Sequence, residues 1–481
     1  GGSRATYCSG AQNGMGGSLT FRGLNVNSPI DVYISETSIV SDLSDVFFEG
    51  VKAITLNSNA ELYTVERSMD FRSYGSTFET FIMAENSKLK NHIDGVVLIK
   101  NIQMHSTSTV EGSTVNINTN SFTCANNIMA SNLVNITAND ARIKLSGTLQ
   151  SQKIKIHAHD YLEVNGTIDT NGRGHAPGTG PGEGCDCSGY SGGRGASGGA
   201  HGGNGGASDR NDCSVPTDSY GDGISSIETM GSGGGKCHGD DNGYGGGLIH
   251  LKSDNKMVLG PSVIISANGN DAGTQSSYGG TRRGGGGAGG GIWLSTNTLI
   301  ASTTSKITAK GGNGNYYRTS SNYNYCSGSN SDFSSGGGGG GRVLIETTSA
   351  IMADGTNGLD IVIELNGGSR ATHCGGAQDG TEGVKMLILQ KKVSVYTSPL
   401  YLPYGDELHI NKVLSILPSQ EVTLSAGKLY HLDGIIANAS SMVLQPGSML
   451  VVRKNCEDVL GITFLGTGNA IAICNFTSIW K

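Results

Sequence analysis

One short string of residues in this sequence has the types and spacing of a chemical site. In His157-Ala158-His159-Asp160, imidazole and carboxylate groups recur at a spacing that can hold a metal ion. The string ends a segment with strand-like alternation, which puts both histidines on one face together with Lys153 and Lys155. Because two ammonium groups repel a cation, we interpret this face as solvated. We predict neither a metal site nor a catalytic residue here.

The cysteines form a second chemical group, and their number is even. Ten are present: Cys8, Cys124, Cys185, Cys187, Cys213, Cys237, Cys326, Cys374, Cys456 and Cys474. A single residue separates Cys185 from Cys187, whereas structural zinc sites usually place two to four residues between ligands. We therefore predict disulfide bonds rather than zinc. The cysteines assigned to them are Cys185, Cys187, Cys213, Cys237, Cys326, Cys374, Cys456 and Cys474, with Cys456 and Cys474 as a local pair.

Asparagine and aspartate side chains supply two further candidate sites. Acceptor sequences for N-glycosylation occur at Asn135, Asn165, Asn438 and Asn475. Together with the predicted disulfide bonds, they indicate a secreted protein. Carboxylates that could hold a structural calcium ion lie at Asp218, Asp222, Asp240 and Asp241, although we expect a solvated acidic turn there. No other cofactor is predicted.

The composition excludes several classes of protein. Of the 481 residues, 77 are Gly and 9 are Pro, only 15% are charged, and the formal net charge is −7. Nucleic-acid binders normally carry a basic patch, and none is evident. Collagen requires Gly at every third position, and helical bundles require long runs of helix formers. No apolar run approaches the roughly 20 residues of a membrane-spanning helix, so no membrane span is expected.

A long internal repeat divides the chain. Residues 1–17 and residues 367–383 match at 12 of 17 positions, at an offset of 366. We expect the chain to be a piece of a tandem array. The expected parts are 1–17, the end of a preceding repeat; 18–165, a polar solenoid part; 166–383, a glycine-rich part with disulfide bonds; and 384–481, the start of the next repeat.

Short strands with period-two alternation recur throughout the chain. Apolar and polar residues alternate around Val115 and Ile117, and again around Val134 and Ile136. Strands this short bury enough apolar surface only when they stack. We predict an all-β chain, a right-handed parallel β-helix with long glycine-rich loop excursions; a tandem array of β-sandwiches is the alternative. We expect the excursions to be ordered, because flexible linkers seldom contain so many cysteines.

A glycine run precedes an apolar strand three times, at Gly245–Gly247, Gly289–Gly291 and Gly339–Gly341. With Ile292-Trp293-Leu294 and the segment Ala309–Gly314, this pattern resembles glycine-rich extracellular proteins of algae and other protists. Among these are mastigoneme proteins, which form the shafts of tubular flagellar hairs. The similar part covers about Gly166–Gly383. The resemblance implies a secreted, glycosylated filament subunit without enzyme activity.

Three functions are compatible with these features. The first is a structural subunit of an extracellular or flagellar-surface filament, whose partners are copies of itself, because head-to-tail contacts that do not close produce filaments. The second is a polysaccharide-active enzyme or carbohydrate binder built on a β-helix. The third is the stalk of a surface adhesin.

Overall fold

The computed structural model of this chain is built from β-strands. It describes residues 30–34, 38–40, 51–64, 69–70, 80–91, 96–99, 102–105, 107–119, 122–124, 127–138, 142–187, 195–209, 213–221, 226–237, 243–273, 284–315, 334–354, 361–371, 376–389, 392–397, 408–416, 421–424, 429–437, 441–444, 449–452, 463–466 and 471–474. No α-helix occurs within these ranges. The predicted all-β class is therefore confirmed.

Thirty-two strands lie in the described residues. Those before the first glycine-rich excursion are β1 (Ile30–Ile34), β2 (Ser38–Val40), β3 (Val51–Leu56), β4 (Glu61–Thr64), β5 (Met69–Asp70), β6 (Thr80–Met83), β7 (Lys88–Asn91), β8 (Val96–Ile99), β9 (Ile102–Met104), β10 (Thr109–Thr119), β11 (Phe122–Cys124), β12 (Asn127–Ala138), β13 (Arg142–Leu145), β14 (Thr148–Gln150), β15 (Lys153–Ala158), β16 (Tyr161–Val164) and β17 (Thr167–Asp169). Those after it are β18 (Leu248–Leu259), β19 (Ile264–Ser266), β20 (Gly291–Ala301), β21 (Lys306–Thr308), β22 (Arg342–Met352), β23 (Val362–Glu364), β24 (Val384–Leu389), β25 (Lys392–Thr397), β26 (Leu408–Ile416), β27 (Glu421–Leu424), β28 (Leu429–Ala437), β29 (Ser441–Leu444), β30 (Met449–Val452), β31 (Thr463–Gly466) and β32 (Ile471–Cys474).

The strands pair in parallel with strands of later turns of the chain. One ladder runs β10–β12–β15–β18–β20–β22–β24, and a second runs β14–β17–β19–β21–β23. Among the described strands, only β24 and β25 pair antiparallel. The result is a largely parallel sheet that curls on itself. Antiparallel pairing dominates β-sandwiches, so this pattern disfavours the sandwich alternative.

The alternation in the sequence decides which side chains fill the core. In β15, Ile154, Ile156 and Ala158 are buried, and the residues between them face outward. Parallel pairing in register then stacks buried residues from successive strands. One fully buried row contains Val115, Val134, Ile154, Ile249, Ile292 and Val343.

Four glycine-rich excursions leave the sheet at the same corner. Each lies between a strand of the second ladder and the next strand of the first ladder; they are residues 170–247, 267–290, 309–341 and 365–383. The first excursion does not disturb the pairing, because β15 and β18 join in register on either side of it. A shared point of exit places the excursions side by side. We call their described residues the glycine layer.

Candidate functional site

The backbone of the glycine layer is hydrogen-bonded on several sides. In segment 336–341, the six amide groups donate to carbonyl oxygens of three segments, 196–199, 309–312 and 378–381, at 2.7–3.2 Å. The partner changes with every residue and returns every third residue. A period of three, with no hydrogen bonds inside the segment, matches the three residues per turn of a polyproline II helix.

The carbonyl groups of the same segment are also occupied. All six accept hydrogen bonds from backbone amides, at 2.7–3.1 Å, including amides of segments 203–206 and 286–289. Buried backbone groups are costly when they lack partners, and here the backbone of 336–341 has partners on both its donors and its acceptors. This part of the glycine layer is therefore an ordered, close-packed bundle, as expected for ordered excursions rather than linkers.

Close approach of backbones is the reason for glycine here. A Cβ atom at Gly198 would lie 1.9 Å from the carbonyl oxygen of Gly337, and one at Gly338 would lie 2.0 Å from that of Gly287. Positive φ angles do not explain these two positions, because neither is among the described glycines with such angles. The sequence indicated close packing of the excursions, but it gave no signal for which segments meet.

Two disulfide bonds join the first excursion to itself. Cys185 bonds Cys213, and Cys187 bonds Cys237. These are four of the cysteines assigned to disulfide bonds from the sequence. A bond that closes a loop of 28 or 50 residues stabilises a fold by about 4 kcal/mol in the chain-entropy model. The other four assigned cysteines lie outside the described side chains: Cys326, Cys374, Cys456 and Cys474.

The predicted glycosylation and calcium residues are only partly described. Asn135 lies in β12 between two buried residues, on the outward face, and Asn165 is exposed after β16, where its Nδ2 donates to Glu163 at 2.8 Å. Asp218 is exposed. Outside the described residues lie Asn438, Asn475, Asp222, Asp240 and Asp241.

The outward face of β15 meets an acidic residue that the sequence analysis did not single out. His157 and His159 point outward with the lysines, as predicted. Both also contact Asp254, which lies in β18, the strand that follows the first excursion in the sequence. The Asp254 carboxylate lies 3.1 Å from His157 Nε2 and 2.8 Å from His159 Nδ1. The parallel pairing of β15 with β18 brings these residues together.

Two lysines on this face, Lys155 and Lys252, are paired with acids. Lys155 Nζ lies 2.9 Å from Glu228 in the first excursion, and Lys252 Nζ lies 3.2 Å from Asp254. Burial raises the pKa of Asp254, but hydrogen bonds from His157 and Lys252 outweigh it and hold the pKa below its ordinary value. The carboxylate is therefore ionised, and the repulsion expected from the lysines is reduced.

A stacked aromatic pair lies next to this cluster on the same outward face. The rings of His250 and Trp293 stack with centroids 4.1 Å apart and an interplanar angle of 1°. Burial lowers the pKa of His250 to about 4; Glu228 opposes the shift, and Lys155 and Lys252 add to it. The imidazole is therefore neutral at physiological pH, and the pair is a packing contact.

Comparisons with known proteins yield no relative for this chain. No family model matches it, and neither a curated protein nor a solved structure matches it. Within the described part of the chain, no helix has the length and apolar character needed to cross a bilayer.

Proposed function

We propose that this protein is a structural subunit of a secreted, glycosylated filament, such as a flagellar hair, with the coils arranged as a right-handed parallel β-helix. The observation that carries the proposal is the glycine layer alongside the parallel ladders. Segment 336–341 uses its backbone donors and acceptors in contacts with other segments of the chain. Such an arrangement makes a thick scaffold from backbone alone.

The pairing pattern supports the β-helix. One coil contains β15, β16 and β17; the next contains the two halves of β18 and then β19. Each of the three strands of one coil thus pairs in parallel with its counterpart in the next coil. Coils stacked in this way advance by about 4.8 Å each, so many coils make a rod.

The long repeat supports continuation from one unit to the next. Residues 378–381 accept hydrogen bonds from segment 336–341, and they belong to the copy of the repeat at 367–383. The same motif occurs a second time in the sequence, at residues 1–17. A glycine layer that runs on through successive units has no closing contact, and this is the condition for filament growth.

Two observations support the extracellular placement. Disulfide bonds such as Cys185–Cys213 persist mainly in oxidising compartments. Asn165 lies exposed on the surface, where an oligosaccharide can be attached. The proposal assigns no catalytic residue.

Electron microscopy of the chain secreted from a eukaryotic host tests this function. We expect rods that associate end to end, with glycan on Asn165 by peptide mapping. A matched control is Asn165→Gln, which should lose that glycan and keep the rods. Discrete compact particles that release sugars from a panel of acidic polysaccharides would contradict the proposal and favour the enzyme alternative.

A further inference from the structure

The cluster of His157, His159 and Asp254 has the donor set of a transition-metal site. One ligand atom from each residue lies within 4.8 Å of the other two. The two imidazole nitrogens and the carboxylate oxygen are ligands that Zn²⁺ and similar divalent ions take. The two imidazole rings lie side by side, with centroids 4.7 Å apart.

The two distances from the Asp254 carboxylate to the histidine nitrogens are close to those that an ion requires. Zinc bound at about 2.0–2.1 Å by tetrahedral ligands places its donors about 3.3 Å from one another. Asp254 lies 3.1 Å from His157 and 2.8 Å from His159, so these donors need to separate by only a few tenths of an ångström. All three side chains are partly exposed, which leaves them free to adjust and leaves the ion accessible.

The surroundings contain one competitor for the carboxylate. Lys252 Nζ lies 3.2 Å from Asp254 Oδ1, where an ammonium takes the place of a cation. Lys155, the other near lysine, is engaged by Glu228. An arriving ion would displace the ammonium of Lys252, which is 42% exposed and can extend into solvent.

We propose that His157, His159 and Asp254 bind a divalent transition-metal ion of the zinc class, with water completing its coordination. The site departs from the solvated face predicted from the sequence because Asp254 comes from β18, and because Lys155 is drawn toward Glu228. Three protein ligands with open positions for water is an ordinary zinc arrangement.

The ion would act as a clip between two coils. His157 and Asp254 are 97 residues apart in sequence, and the whole first excursion lies between them. An ion that binds only when these residues are brought together stabilises the folded chain and, with it, the pairing of β15 with β18. This role does not depend on the proposed filament.

Metal titration of the full chain tests the site. After treatment with chelator and dialysis, Co²⁺ should bind at one equivalent with the visible spectrum of a low-coordinate site, and Zn²⁺ should displace it and raise the melting temperature. We expect His157→Asn and Asp254→Asn to weaken Zn²⁺ binding at least tenfold, since loss of even an outer partner commonly costs that much. His105→Asn, a change at an exposed histidine on another coil, should leave binding unchanged.

A further variant separates metal binding from a structural role. Lys252→Met removes the competing ammonium and should tighten Zn²⁺ binding severalfold, whereas loss of an ion pair alone would not. The proposal is overturned if the chain binds no equivalent of Co²⁺ or Zn²⁺, or if Asp254→Asn and His157→Asn bind with the affinity of the parent. It is also overturned if Lys252→Met weakens binding, because removing a competing ammonium should leave the Asp254 carboxylate more available to an ion.

Discussion

At the scale of the residue, glycine is needed in this protein because it has no Cβ atom, which lets two backbone segments approach closely. The glycine at 338 sits where a side chain would enter the space of Gly287, and its amide and carbonyl both bond neighbouring segments. The loss of conformational entropy on ordering a glycine is offset here by contacts that no other residue permits.

Gly338→Ala should therefore destabilise the fold, at or above the upper end of the usual cost of about 1–3 kcal/mol for overpacking. The nearest atoms are backbone, which cannot move aside without breaking hydrogen bonds. Urea denaturation gives the free energy of unfolding. At Gly376 the nearest atom to a Cβ would be Asp209 Cβ at 2.9 Å, so Gly376→Ala is the milder control. Equal costs would contradict the close-packed layer.

His250 predicts a dependence of stability on pH. Its pKa is about 4 in the folded chain against 6.5 ordinarily, so the unfolded chain binds more protons between these values. The contribution of neutral His250 to the free energy of unfolding is therefore fully present above about pH 6.5. It is lost as the pH falls toward 4, by up to about 3 kcal/mol.

Thermal unfolding of the parent and of His250→Phe, in buffer with chelator, measures this contribution. Phe keeps a ring against Trp293 but does not titrate. We expect the variant to lose less stability than the parent over that range of pH. Identical pH profiles would show that His250 does not contribute.

At the scale of the element, each strand is stabilised by the strands stacked above and below it. Ile292 in β20 is buried between Ile249 of β18 and Val343 of β22. Parallel stacking in register therefore gives the buried residues of a strand apolar neighbours on both sides.

Truncation of this core row should be costly. Ile292→Ala removes packing from both neighbouring coils, and we expect a loss of about 2–5 kcal/mol in the free energy of unfolding. Thr298→Ala, at an outward position of the same strand, should change it by about 0.5 kcal/mol or less. Similar losses at both positions would contradict the assigned face of β20.

Local alternation of apolar and polar residues predicts the strands from the sequence. It does not predict which strands pair when an excursion separates them. The pattern of β15 predicts which side chains are buried, and it also places both histidines outward. It cannot predict the contact of these histidines with Asp254. The strand that pairs with β15 follows the first excursion, and the alternation contains no information about the length of that excursion. The hydrogen-bond partners of segment 336–341 cannot be predicted for a similar reason. A run of glycines has no side-chain pattern that indicates which segment packs against it.

At the scale of the whole molecule, the parallel ladders and the glycine layer meet at one corner of the sheet. The excursions between β17 and β18 and between β21 and β22 leave and rejoin the sheet without disturbing its ladders. The ladders extend the structure in one direction, and the glycine layer adds thickness beside them.

Cryo-electron microscopy of assemblies formed by the secreted chain tests the central proposal most directly. We predict filaments in which coils rise by about 4.8 Å along the axis and the glycine layer runs unbroken across the contact between units. Single particles with closed ends, or filaments whose contacts bypass the glycine layer, would contradict it.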